Sequence, residues 1–135
     1  MIAIDTNVLV RFFAKDDRDA YSIAETLIAE GPVTISTTVF LEANWVLQST
    51  YDFPKGEVLN AFASLLELPS VEALDGEVVD RAIGWSRAGL DFADALHLAQ
   101  AARSDVFATF DVPLAKKARR LSNAPTVSHP RKPDR

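Results

Sequence analysis

The sequence predicts an α/β fold with a mostly parallel sheet. Short apolar runs alternate along the chain with longer segments in which apolar residues recur at helical spacing. This alternation is typical of parallel sheets, because a helix returns the chain between one strand and the next. The 135 residues, 48% of them hydrophobic, suffice for one core, and we see no internal repeat or low-complexity tract.

The first half of the chain is predicted to contain two short strands and four helices. In order they are a buried strand at 2–4, a helix that follows Asp5-Thr6-Asn7, a helix at 18–29, a strand at 33–35, a helix capped by Ser36, and a helix from Pro54 to about Leu68. The Gly31-Pro32 pair ends the second helix, and Pro69 stops the fourth.

The second half is predicted to continue the alternation. It contains a strand at 71–73, helices at about 75–88 and 92–103, a strand at 105–110, a helix at 113–121 and an edge strand at 126–128. We expect a single domain over 1–128, followed by a flexible basic tail over 129–135 in which prolines favour a loose terminus.

Composition and charge exclude several classes of protein. Without cysteine there is no disulfide scaffold, thiolate zinc site or cysteine nucleophile. No apolar run approaches the roughly 18 residues of a membrane span, and no signal peptide is evident, so we expect a cytoplasmic protein without membrane contact. The net charge of −5 is uneven, with −11 over residues 1–115 and +6 over 116–135. An acidic body repels phosphates unless cations lie between them.

Five carboxylates are expected to meet at one edge of the sheet. Asp5 and Asp111 end strands, and Asp91 and Asp94 begin a helix, so all four belong to the edge where strands end and helices start. Glu42 lies further along its helix, but its long side chain leans back toward the helix N-terminus. Ligand sites of open α/β sheets lie along this edge.

Each acid except Glu42 also has a purely structural interpretation. Asp5, or Thr6 beside it, can cap the first helix, Asp91 and Asp94 have the spacing of a capping box, and Asp111 can begin a turn or a helix. Glu42 has Val39 three residues before it, so no capping box forms there. An acid in that apolar helix requires a partner or a cation.

Considered together, the acids favour a metal site. Lysine and arginine are absent from 5–10, 33–48 and 90–102, and ligation by oxygen alone suits Mg²⁺ or Mn²⁺ rather than zinc. Such sites act mainly on phosphates. His97 and His129 are isolated and receive no role, which disfavours metal-free RNA cleavage by paired histidines. No phosphate-binding loop, dinucleotide-binding turn or nucleophile elbow is present.

These residues give the sequence its resemblance to a known family. It resembles PIN domains, and among them the VapC-like toxins of type II toxin–antitoxin systems. The matching pieces lie in the expected order within residues 1–115: Ile4-Asp5-Thr6-Asn7-Val8-Leu9, Glu42, Asp91-Phe92-Ala93-Asp94-Ala95-Leu96 and Ala108-Thr109-Phe110-Asp111. Asp-Thr-Asn alone is a weak signal, whereas the complete ordered set is fairly specific.

The resemblance implies a three-layer PIN-like fold and a Mg²⁺-dependent endoribonuclease, with Mn²⁺ as the other candidate ion. A metal-activated water would hydrolyse RNA and leave 5′-phosphate and 3′-hydroxyl ends. By position, the residues that look like the four catalytic metal ligands are Asp5, Glu42, Asp94 and Asp111. Asp91 resembles an auxiliary metal-site acid found in part of the family. Thr6, Asn7 and Thr109 look like residues that orient carboxylates or contact phosphate.

The resemblance also implies partners. Family members typically form homodimers, and a small VapB-like antitoxin inhibits them by wrapping its C-terminal segment around the toxin. Operator DNA is then bound only through the antitoxin. The residues that can bind the RNA backbone at the rim of the site are Lys116, Lys117, Arg119 and Arg120, although a solvated final helix and loose tail are the default interpretation of so short a basic run.

Two other functions remain open at the level of sequence. The first is a PIN-type nuclease for housekeeping RNA processing that has no antitoxin. The second is a catalytically silent module whose acids hold a structural cation or bind a basic peptide.

Overall fold

A computed structural model describes residues 1–130 of the chain. The predicted basic tail over 129–135 therefore lies outside the described residues from position 131 onward. The chain divides into two compact units, Met1–Asp80 and a second unit that begins at Arg81. None of the helices within residues 1–130 is both long and apolar enough to cross a bilayer.

Helices and strands follow the predicted alternation. The first unit contains β1 (Ile2–Ala3), α1 (Thr6–Ala14), α2 (Arg18–Glu30), β2 (Val33–Ile35), α3 (Thr37–Ser49), α4 (Lys55–Leu66) and β3 (Val71–Ala73). The helix α5 (Gly76–Arg87) runs from the end of the first unit into the second, which contains α6 (Phe92–Gln100), β4 (Val106–Ala108), α7 (Val112–Ala118) and β5 (Thr126–Ser128). The prediction of an α/β fold is confirmed.

Every strand pair within the described residues is parallel, as predicted. In the first unit the strand order is β1-β2-β3, and Val33 of β2 lies opposite Ile2 on one side and Val71 on the other. In the second unit β4 pairs with β5, which confirms the predicted edge strand, with Phe107 opposite Val127. The backbone hydrogen bonds thus form one small sheet in each unit.

The prediction of a buried strand at 2–4 was wrong for most of that strand. Ile2 is 51% exposed and Ala3 is also exposed, while Ile4, just beyond β1, is buried. The reason is position, because β1 lies at the edge of its sheet and pairs with β2 on one side. In the central strand β2, by contrast, Val33 and Ile35 are fully buried.

Aromatic packing fixes α3 in the first unit. Phe40 of α3 and Phe62 of α4 are both fully buried, and their rings meet edge to face with centroids 5.2 Å apart. Phe13 of α1 packs against Phe62 at 6.1 Å. Such pairs add about 0.5–1.5 kcal/mol beyond the burial of area. The opposite face of α3, which carries Glu42, is thereby held in a fixed orientation.

Replacing Phe40 by alanine should therefore lower the free energy of unfolding by about 3–5 kcal/mol, because it removes a buried ring and leaves a cavity against Phe62. Ile23→Ala is the matched control, since Ile23 is 70% exposed and its loss should change stability by less than about 0.5 kcal/mol. Urea denaturation measures both. Equal stabilities of the two variants would contradict this account of the core.

Candidate active site

The first helix begins on one of the candidate acids. Asp5 follows β1 and is the N-cap of α1, where the Val8 N–H donates to Asp5 Oδ1 at 3.0 Å. Ser36 follows β2 and caps α3 in the same way, accepting from Val39 N–H. Because β1 and β2 are parallel neighbours, both helices start from the same edge of this sheet. The capping interpretation of Asp5 is thus correct. The hydrogen bond of the cap uses one of the two oxygens of the Asp5 carboxylate.

Glu42 lies beside the start of α1. The Thr6 hydroxyl donates to Glu42 Oε1 at 3.2 Å, across 36 positions of sequence. Glu42 itself is exposed on α3, so this bond orients a carboxylate that remains open to solvent. The structure therefore brings Glu42 to the first turn of α1, next to the residue that follows Asp5.

Asn7 has different surroundings from Thr6. It is exposed and lines a shallow cavity of about 210 Å³ between α1 and α2, together with Arg11 and Ile23. A role for Asn7 in orienting a carboxylate or contacting phosphate stays a prediction.

In the second unit, two acids also cap helices. Asp91 is the N-cap of α6, and its Oδ2 accepts from the N–H groups of Ala93 at 3.1 Å and Asp94 at 3.4 Å. Asp111 caps α7, accepting from Leu114 N–H at 3.0 Å. The Asp111 N–H donates in turn to the Thr109 hydroxyl at 3.0 Å, so Thr109 holds the backbone of the cap in place.

The surroundings of Asp94 disfavour the negative charge of its carboxylate. Its partial burial raises its pKa above the usual range, and the neighbouring negative charges of Asp91 and Asp111 raise the pKa further. His97 and Lys117 act on the Asp94 pKa in the opposite direction but do not cancel the effect. Asp91 and Asp111 are therefore close enough to Asp94 to repel its negative charge, and a cation beside Asp94 would relieve this repulsion.

Basic side chains extend from α7. All four candidate RNA contacts are exposed: Lys116, Lys117, Arg119 and Arg120. His97, to which sequence reasoning gave no role, is exposed on α6 and acts electrostatically on Asp94. His129 packs its ring edge to face with that of Phe110, at a centroid distance of 5.3 Å.

Among residues 1–130, no lysine or arginine is recorded at salt-bridge distance from a candidate acid. Within residues 1–130 the observed salt bridge joins Arg11 to Asp16 and involves none of them. In the same part of the chain, no three histidine, aspartate or glutamate side chains are arranged so that they could hold one ion. Each unit has its own acidic group, namely Asp5 and Glu42 in the first and Asp91, Asp94 and Asp111 in the second. The donors are all oxygens, which suits Mg²⁺ or Mn²⁺.

The sequence analysis gave no role to Trp45, an exposed aromatic residue on the same helix as Glu42. Trp45 lies one turn beyond Glu42 on α3 and is 68% exposed. The apolar pattern of α3 could have indicated the exposure of Trp45. Ala43, Asn44 and Leu47 face inward, and helical spacing puts Trp45 on the opposite side.

The comparisons with known proteins place the chain in one family. The sequence model of the PIN domain matches residues 2–120, which contain every candidate acid. No curated protein matches the sequence.

The raised pKa of Asp94 has a consequence for stability. The folded protein holds the Asp94 proton more tightly than the unfolded chain does, so the free energy of unfolding falls as pH rises from about 3.8 through the folded pKa. Asp94→Asn removes the titrating carboxyl group and with it this fall in the free energy of unfolding. With chelator present, the variant should melt at a higher temperature than the wild type at pH 7, and the difference should vanish near pH 3.

Thermal melts across this pH range measure the effect. Asp105→Asn is the matched control, because Asp105 is an exposed acid of the same unit. A variant that melts at the wild-type temperature at pH 7, or whose advantage grows toward acid, would contradict the electrostatic account of Asp94.

Proposed function

The chain belongs to the PIN domain family, whose members are generally metal-dependent nucleases, and we propose that it is an endoribonuclease that uses Mg²⁺ or Mn²⁺. The observation that carries the proposal is the position of Asp94 beside Asp91 and Asp111, whose charges raise its pKa, while its own carboxylate caps no helix. An acid perturbed in this way by neighbouring charges is typical of functional sites.

In this proposal the ions are held by Asp5, Glu42, Asp94 and Asp111, with Asp91 as an auxiliary acid. A divalent ion held by these residues would polarise the phosphodiester and lower the pKa of the attacking water. Asp5 and Asp111 each give one oxygen to a helix N–H and keep the other for a ligand. No side chain acts as a covalent nucleophile: the oxygen of a water bonds to phosphorus, the P–O3′ bond breaks, and the leaving 3′-oxygen takes up a proton. The products therefore carry 5′-phosphate and 3′-hydroxyl ends.

Two hydroxyl side chains support the acids, and one amide is assigned to the substrate. Thr6 fixes the carboxylate of Glu42, and Thr109 fixes the backbone of Asp111, so both limit the movement of a metal ligand. Asn7 supplies the amide, which is exposed and available to a phosphate oxygen.

The substrate backbone meets the basic side chains of α7 and the residues just after it. Lys116, Lys117, Arg119 and Arg120 are exposed and carry the positive charge that the acidic body lacks. Contacts of this kind position RNA without reading its sequence.

We further propose that the nuclease is a VapC-like toxin that acts in the cytoplasm as a homodimer. The ordered set of motifs from Ile4 to Asp111 supports this assignment. Its inhibitor would be a VapB-like antitoxin, and operator DNA would be bound only through that partner. A small reading frame directly upstream, whose product forms a complex with this chain and suppresses its activity, would separate a toxin from a housekeeping RNA-processing nuclease.

Removing either of two acids should abolish metal-dependent cleavage of RNA. We expect Glu42→Gln and Asp94→Asn each to lower kcat by at least about 100-fold, because the neutral amide no longer attracts a divalent cation. Cleavage of total RNA with and without EDTA, followed by readdition of Mg²⁺ or Mn²⁺, measures this.

Matched controls separate the site from the general acidity of the chain. Glu30→Gln and Asp105→Asn remove exposed acids elsewhere and should cleave like the wild type. Full activity of Glu42→Gln or Asp94→Asn, or cleavage that persists in EDTA, would refute the assignment.

The bond from Thr6 to Glu42 should also matter for turnover. Thr6→Val removes the hydroxyl and keeps the shape, so kcat should fall by about 10- to 100-fold while the fold is retained. Thr6→Ser restores a donor and should recover most of the rate. If Thr6→Val and Thr6→Ser cleave RNA equally, the bond has no role in orienting Glu42.

A further inference from the structure

The outward face of α3 is polar except at one position. The exposed residues of this helix are Thr38, Glu42, Trp45 and Ser49, which recur at helical spacing opposite the buried stripe. Within α3, Trp45 is the one large apolar side chain that is exposed, at 68%. We name this stripe the outer face of α3.

Single exposed apolar residues are common in proteins and need no explanation by themselves. Two features distinguish Trp45 from them. It lies three positions after Glu42, which places the two side chains next to each other on the helix surface, about 5–6 Å apart at Cβ. Besides Glu42, the other exposed residues of the outer face are Thr38 and Ser49, which are polar, so within this helix Trp45 does not continue an apolar stripe.

We propose that Trp45 is a stacking platform for an unpaired RNA base adjacent to the scissile phosphate. The proposal deepens the proposed nuclease function and rests on it. An exposed indole offers a flat surface on which any base can stack, and such stacking tolerates sequence. In a duplex the faces of the bases are covered by their neighbours, so the substrate must be single-stranded at this position.

The charge of this part of the chain explains why stacking is needed there. Residues 33–48 contain no lysine or arginine, so no side chain of that segment can attract the phosphate backbone beside Glu42. Stacking supplies binding energy that does not depend on charge, in a segment whose one charged residue, Glu42, is itself an acid. Trp45 thus positions the substrate, while the carboxylates serve the ions.

A positioning role predicts a specific kinetic signature. Trp45→Ala should raise KM on the order of tenfold and leave kcat nearly unchanged, whereas Trp45→Phe keeps a stacking surface and should stay close to the wild type. Val106→Ala is the control, since Val106 is an exposed apolar residue, at 49%, on β4. The increase in KM for Trp45→Ala should appear with a single-stranded substrate.

Fluorescence tests the contact directly, because the chain has two tryptophans and only Trp45 is exposed. Trp85 is 7% exposed and serves as an internal reference. In an Asp94→Asn background, which prevents cleavage, a single-stranded oligoribonucleotide with Mg²⁺ should quench the emission. The same sequence as a duplex should not. In the same background, Trp45→Phe should abolish the quenching.

The outcomes separate this inference from the proposed function. If the wild type cleaves RNA with Mg²⁺ but RNA causes no quenching and Trp45→Ala keeps the wild-type KM, the stacking role is wrong and the nuclease stands. If no metal-dependent cleavage occurs, the proposed function fails, and the inference that depends on it fails too. Emission that changes with protein concentration in the absence of RNA, together with a monomeric Trp45→Ala variant in sedimentation, would assign Trp45 to contact with a second copy instead.

Discussion

The parallel pairing of β1 with β2 is the constraint on which the first acidic group depends. Since both strands run the same way, their ends lie at one edge, and the helices that follow must start there. The first turn of α1 therefore meets α3, and Thr6 comes within hydrogen-bond distance of Glu42. The packing of Phe40 against Phe62 on the inner side of α3 keeps Glu42 on the outer side. Backbone direction and core packing together determine where this carboxylate lies.

The second unit also contains an acidic group, formed by Asp91, Asp94 and Asp111, and the surroundings of Asp94 disfavour its negative charge. Asp91 and Asp111 stabilise the starts of α6 and α7 through backbone N–H groups, which is a normal use of an acid. Asp94 gains no such bond and instead bears the repulsion of both neighbours, which raises its pKa. Proteins tolerate a local loss of stability where function requires it. Lys117 and His97 moderate the repulsion without removing it.

Local features of the fold could be predicted from sequence, and relations between distant segments could not. Helix caps depend on a few adjacent residues, so Ser36 and Asp91 were recognisable as helix starts. The exposure of Ile2 was not, because an apolar run shows that a strand can be buried but does not show which neighbours it has. The bond from Thr6 to Glu42 spans 36 positions and follows only from the strand pairing. Metal binding by the acids stays a prediction. It is supported by their residue types and by the membership of the chain in the PIN domain family.

The division between acids that cap helices and acids that do not has an evolutionary consequence. Asp5, Asp91 and Asp111 each close a helix terminus, so a lineage that had lost its chemistry would still be under selection to keep Asp, Asn or Ser there. Glu42 and Asp94 have no such second duty in the described part of the chain. In homologues that have lost the nuclease activity, these two positions should therefore be substituted first. The residues found there are the better indicator of an active enzyme.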